Sequence, residues 1–418
     1  ECKGPRAVLH ALVRLCHFYS DHNAMLVRTC FVLGNLTSGE SDTNRLHVAD
    51  ALVQRDATDD DVEEGTAEMG GKVELDGISV VTELLAHHTV NMIKVNILAS
   101  ANLKVADVKP KETAEVLVKI VRVIANLAIA RSPGMRFACS RGIKCLVTLL
   151  ADVKGEEHDE LQLNVISAIS NLSFYVIGGI HTDEQGGRQG SHFMSEEGEK
   201  VIDLMVPMLL ESQHEECVLE VCRAFANFSR VQALRQYMTT VRAGEIFVVL
   251  LEHSNREVVL SVCGVLINLA ACPEGKALLR CPDLNGFQKL LSVVRDAGMN
   301  DLEMSTLACK VIHNASLNGS AVAGSGELGQ RNIDKMFVTL EELVEVVEDV
   351  IDEEDEHDCE DDDLMAERQF LEVATGLKRT LSVLYNKETL VKQGGGGEDS
   401  PGDLVPLTDD EEDVSNKK

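Results

Sequence analysis

Apolar residues recur along this chain at three- and four-residue spacing, and six of the runs end in one short motif. These are LGNLT (Leu33 to Thr37), IANLA (Ile124 to Ala128), ISNLS (Ile169 to Ser173), FANFS (Phe225 to Ser229), LINLA (Leu266 to Ala270) and IHNAS (Ile312 to Ser316). Aligned on the asparagine, position −5 holds Cys30, Val121, Ile166, Cys222, Cys263 and Cys309. Position −2 holds Leu33, Ile124, Ile169, Phe225, Leu266 and Ile312; position +1 holds Leu36, Leu127, Leu172, Phe228, Leu269 and Ala315. Steps of three make one apolar stripe on a 3.6-residue helix, with the asparagine beside it. Four cysteines are thereby predicted to be core residues. Six asparagines at equivalent places on helices they favour poorly need a shared reason, and a groove-lining role supplies one.

A second apolar helix starts at a glycine in most units: Gly142 to Leu150, Gly244 to Glu252 and Gly286 to Val294, with Val201 to Leu210 lacking it. Neither helix buries its stripe alone, so stacked units must share one elongated core with a polar cap at its end. Asparagines at 35, 126, 171, 227, 268 and 314 give a unit of about 40 to 46 residues. The 56-residue interval holds a Gly-rich polar insertion. The 91-residue interval holds an acidic stretch plus either a degenerate copy or a long interruption. Strand signals are nearly absent, and the fold expected is an all-α solenoid of about six to eight repeats. The array is assigned to residues 1–340, with loop insertions near 54–76 and 178–195. A terminal helix pair, read from apolar positions in 333–350 and 365–384, closes it within 341–391, interrupted by an acidic loop at 352–363. Residues 392–418 read as a Gly-rich, acidic, disordered tail.

Charge sharpens this division. The chain has 418 residues, 69 acidic against 39 basic, and a formal charge of −30. Asp56 to Glu68, Glu341 to Asp363 and Glu398 to Asp413 contain 7, 15 and 8 acids and no Lys or Arg, so the rest of the chain is formally neutral. Like charges repel and stay solvated, so the first two runs are expected to be loops and the third the tail. So acidic a chain opposes nucleic-acid binding, which needs clustered cations. No apolar run approaches about 18 residues, so no membrane span is predicted. The chain opens Glu1-Cys2-Lys3 without an initiator Met and reads as a fragment.

Twelve cysteines without a C-x-x-C pair suggest buried, reduced thiols in an intracellular protein. Candidate chemistry is thin. GTAEMGGK (Gly65 to Lys72) misses a phosphate-binding loop at Gly71 and Val73. His87-His88 and His214-Glu215 lack metal spacing and read as surface or interhelical groups. Gly324 to Gly326 lacks the context of a nucleophile elbow. Asn-x-Ser/Thr at Asn35, Asn171 and Asn227 reads as a by-product of the repeat, buried along a groove. Neither enzyme activity nor a cofactor or metal is predicted, and an active site composed on the inserts finds no nucleophile–base pair.

The unit, a Gly-started helix followed by one ending A-L-x-N-L-A, resembles the armadillo repeat. Within that fold, Ile120 to Ala130, Leu163 to Tyr175, Val221 to Ser229, Ser261 to Ala270 and Gly286 to Gly298 resemble a ciliary and flagellar armadillo-repeat family over roughly residues 4 to 320. That resemblance implies a right-handed superhelix and a non-enzymatic adaptor in axoneme assembly, for radial spokes or their transport into the cilium. It implies axonemal and transport-machinery partners and a location in cytoplasm, basal body or axoneme. The other reading kept is a generic cytoplasmic adaptor in transport, signalling or junctions. By the same resemblance Asn35, Asn126, Asn171, Asn227, Asn268 and Asn314 line the concave face, where an amide can both donate to and accept from a partner's backbone. Import receptors of this fold place Trp one turn before the asparagine. Here Phe31, Arg122, Ser167, Arg223, Gly264 and Lys310 stand there and the chain has no Trp, which argues against that function. Arg122, Arg223 and Lys310 at −4, with Arg28 and Lys119 at −7, put five cations beside the asparagines and predict a groove for an acidic or polar segment, from a partner or from the chain's own acidic loop or tail.

Overall fold

The structure is a computed structural model. It describes residues 4–57, 71–100, 110–153, 158–176, 181–182, 188–189, 193, 196–212, 214–317, 329–355 and 364–392. These form two compact units, divided after Val231.

In the first unit, α1 (Pro5–Phe18) and α2 (Asn23–Thr37) make the opening helix pair. Three repeats follow. The first has α3 (Asp42–Ala49), α4 (Gly77–Ser100) and α5 (Pro110–Leu127); the second has α6 (Arg131–Ala138), α7 (Gly142–Asp152) and α8 (Asp159–Ser173). The third has α9 (Glu196–Met205), α10 (Met208–Glu211) and α11 (Glu215–Ser229). The motif-bearing helices pack in series, α2 on α5, α5 on α8 and α8 on α11. The second unit continues with α12 (Gln232–Thr240), α13 (Ala243–Leu250) and α14 (Arg256–Leu269), then α15 (Pro273–Arg280), α16 (Gly286–Ala297) and α17 (Leu302–Ser316). The closing pair is α18 (Gly329–Asp355) and α19 (Met365–Lys392), and α14, α17 and α19 pack in that order.

The stripe is the core. Every −5 and −2 side chain is buried, including Cys30, Cys222, Cys263 and Cys309. Each fully buried side chain of this size contributes about 1.5–3 kcal/mol relative to exposure. Burial raises the Cys222 and Cys309 thiols to about 12, so they stay protonated and inert. The second-helix glycines answer to close approach. A Cβ on Gly286 would lie 2.8 Å from the Leu279 carbonyl oxygen, so only hydrogen lets α16 pass the end of α15.

Of the two readings of the 91-residue interval, the long interruption is the one that fits, because α2 packs directly on α5. Two expectations change. Strands do occur, as two short antiparallel ladders inside the expected insertions. One pairs β1 (Val53–Asp56) with β2 (Lys72–Leu75); the other pairs β3 (His181–Thr182) with β4 (Arg188–Gln189). The boundary at 340/341 falls within α18, and the acidic run from Glu341 is helical through Asp355 rather than loop. Glu is a good helix former, and Val344 and Val347 bury one face beneath the acids. The rest of that run (356–363), most of the first run and the tail beyond Lys392 lie outside the described residues.

Arg136 of α6 ties the first insertion to the stack. Its guanidinium donates to Asp50 Oδ1 at 2.8 Å, to the Ala49 carbonyl at 3.1 Å and to Asp76 Oδ2 at 2.5 Å. Burial pushes the Asp76 carboxyl up, but the Ser79 N–H and Arg136 outweigh it and hold the group below its ordinary range.

Candidate interaction surface

The asparagines share one geometry. Asn126 Nδ2 donates to the Gly34 carbonyl at 2.8 Å, Asn171 to Ala125 at 3.0 Å, Asn227 to Ser170 at 3.5 Å and Asn314 to Ile267 at 3.2 Å. Each acceptor is the residue just before the preceding asparagine. A helix end leaves its last carbonyls without intrahelical donors or with strained ones, and the next repeat's amide adds a second bond there. Where position +2 carries a hydroxyl, the amide also donates to it: Asn126 to Thr37 Oγ1 at 3.4 Å and Asn227 to Ser173 Oγ at 2.8 Å. Those hydroxyls give their own protons to carbonyls in their helices, Thr37 to Leu33 at 2.8 Å and Ser173 to Ser170 at 2.6 Å, which leaves lone pairs to accept.

Half of the expected asparagine chemistry is therefore used within the protein. The donors of Asn126, Asn171, Asn227 and Asn314 join repeats. Among the described residues the Oδ1 atoms of Asn126, Asn171 and Asn227 make no hydrogen bond and stay available as acceptors. Asn314 is fully buried, Asn268 is half-buried, and Asn35 is exposed rather than buried. Asn-x-Ser/Thr has a structural meaning that sequence reading missed: its hydroxyl receives the next repeat's amide. Its recurrence at Asn35 and Asn171 was the signal.

The five cations divide. Lys119 pairs with Glu160 at 3.6 Å and Arg223 with Glu220 at 3.2 Å. Arg28 and Arg122, both exposed, form no ion pair in the described structure, and neither does the half-buried Lys310. A Cβ built on Gly34 would lie 4.0 Å from Arg122 Cγ, so the Arg122 stem crosses α2 where Gly34 leaves room. One turn before Gly34 stands Phe31, which is 50% exposed. The first unit thus places an aromatic ring and two uncompensated guanidinium groups on adjoining motif helices. In the second unit His313, Leu371, Glu372, Thr375, Gly376 and Arg379 line an open cleft between α17 and α19 that the sequence did not disclose. His88 is buried against the Ser20 carbonyl at 3.0 Å, while His87 faces Asp21 at 3.1 Å and His214 faces Asp159 at 3.1 Å. Among the described residues no group of three or more His, Cys, Asp or Glu side chains could hold a metal, and no helix is long and apolar enough to cross a membrane.

No family model matches the chain. It is 28% identical over 306 residues to armadillo repeat-containing protein 2 of Mus musculus, a match covering 73% of this chain and 31% of that protein. The Bos taurus protein of the same name is 25% identical over 312 residues, with the same coverage of both chains. The fold is that of an armadillo-repeat array. The chain spans about a third of the length of these curated relatives. Among solved structures, one described as a phosphorylation switch controlling the interaction between cadherin and β-catenin superposes with a TM-score of 0.50 at 13% identity. That superposition covers 91% of this armadillo array and 81% of that chain. A computationally designed armadillo repeat protein for modular peptide recognition gives 0.46 at 18% identity, covering 72% and 99%.

Proposed function

We propose that this armadillo array is a non-enzymatic protein-binding scaffold whose first unit takes an acidic segment carrying an apolar anchor, and that it serves ciliary or flagellar axoneme assembly. One observation carries the binding reading: among the described residues Arg28 and Arg122 have no acidic partner, and they stand beside exposed Phe31 on the motif-helix face. Guanidinium groups recognise carboxylates through paired N–H donors, and an exposed aromatic supplies area at small entropic cost. The Oδ1 acceptors of Asn126 and Asn171 add sites for a partner's backbone N–H. On this reading the chain works by binding alone, through the guanidinium, aromatic and amide groups named above.

The destination, with radial-spoke components and their transport machinery as partners, rests on the resemblance of Ile120 to Ala130, Leu163 to Tyr175 and Val221 to Ser229 to a ciliary and flagellar family. The double substitution Arg28→Glu/Arg122→Glu is expected to abolish capture of radial-spoke proteins from axonemal extract. Lys144→Glu, at an exposed position on α7, keeps it. Equal capture by all three forms would remove the groove reading. Exclusion of the tagged protein from both cilium and basal body would remove the destination.

A further inference from the structure

The opening helix pair breaks the repeat rule in one direction. At position +1, Leu127, Leu172, Phe228, Leu269 and Ala315 are all buried, at most 2% exposed, whereas Leu36 is 38% exposed. Positions −5 and −2 of the same helix, Cys30 and Leu33, are buried as in every other repeat. The bare position is thus the one whose counterparts lie beside the amides that reach back to the preceding repeat. The Asn35 amide tells the same story: among the described residues it makes no hydrogen bond, while its counterparts at 126, 171, 227 and 314 each donate to the preceding repeat's carbonyl.

Helix α1 repeats the pattern. Leu9, Val13 and Cys16 face the core, yet a second apolar stripe runs through Val8, Leu12, Leu15 and Phe18, with Val8 55% and Phe18 66% exposed. Steps of three and four place it on one side of the helix, and Val32 of α2, 41% exposed, adds to the apolar surface of the pair. A terminal layer needs a polar outer face to stay soluble. This one is written as an interior layer.

We propose that the α1–α2 face docks one further armadillo-type repeat of the same polypeptide, stacked ahead of α1. Its motif helix presents the carbonyl that Asn35 takes and an apolar side that covers Leu36, Val32 and the outer stripe of α1. Continuity with this polypeptide is the source supported by the curated relatives, which are about three times as long as the stretch they share with this chain.

The test uses a repeat already in the chain as probe. Residues 232–285, holding α12 to α15, are fused ahead of Pro5, so that α14 supplies the carbonyl and α15 leads into α1. Amide hydrogen exchange in α1–α2 is expected to slow at least about tenfold in the fusion. Asn35→Ala should reverse part of that gain in the fusion and change nothing in the unfused chain. Independently, the unfused chain should bind a hydrophobic dye at this face, and Val32→Lys/Leu36→Lys should abolish the binding. Exchange that does not slow, an Asn35→Ala effect equal in both backgrounds, or a dye signal indifferent to the lysines each overturns the proposal. So does a dimer of the unfused chain that protects α1–α2, because the occupant is then a second copy.

Discussion

The opening pair α1–α2 and the closing pair α18–α19 both lie at the margin of a packed unit, yet they treat water differently. The closing pair buries Leu340, Val344 and Val347 on α18 and Phe370, Leu377 and Leu381 on α19, and turns Glu341, Glu342, Glu345, Glu348 and Asp349 outward. The opening pair buries as completely on one side but carries Val8, Phe18, Val32 and Leu36 on the other. The closing pair also exposes Val338, Val346, Met365 and Val383, but α18 sets its exposed valines among acids, whereas neither α1 nor α2 carries a single acidic side chain and α1 adds a second apolar stripe.

The contrast is open to measurement, beginning with the largest effect. Phe370→Ala removes a fully buried ring from the closing pair and should cost about 3–5 kcal/mol in denaturant unfolding of the second unit, whereas Phe18→Ala on the outer stripe should stay within about 0.5 kcal/mol. Equal losses would show that the two faces are not different in kind.

Acidification should weaken the opening side next. Burial, aided by neighbouring His87, lowers His88 to about 4 from 6.5, so it folds neutral. Between those values the unfolded chain binds a proton that the folded chain refuses. The stabilisation is present above pH 6.5 and is lost as pH falls toward 4, by about 3 kcal/mol in all. Melting curves from pH 7 to 4 should show this limb, and His88→Gln should flatten it.

Smaller again is the amide row. Asn126→Ala removes the bonds to Gly34 and Thr37 and should cost about 1–2 kcal/mol, while Asn35→Ala should be silent in the unfused chain. A large loss on Asn35→Ala would mean that its amide already has a partner. Least of all, Glu345→Lys on the exposed face of α18 should change stability by less than about 0.5 kcal/mol, checked by the same melts.

Much of the fold was legible because the −5, −2, +1 stripe follows from helix geometry alone, and it located the six motif helices. The direction of a side-chain amide was less so. Asn126 and Asn171 read as groove residues, but whether Nδ2 serves a partner or the preceding repeat depends on where a carbonyl lies, and spacing does not say. The paired hydroxyls Thr37 and Ser173 held part of the answer in plain view. The acidic run after Glu341 misled because charge density suggests loop, while the valines at 344 and 347 carry the weaker helical signal. Leu36 could not have been singled out, since burial depends on what stands beside a helix and not on its sequence.

Arg136 reaches both roots of the first excursion, Asp50 on the way out and Asp76 on the way back. With departure and return pinned to one guanidinium, changes in the length of the excursion are mechanically isolated from the helices that carry it. Evolution is then free to edit the sequence that joins β1 to β2, while α5 keeps its seat on α2.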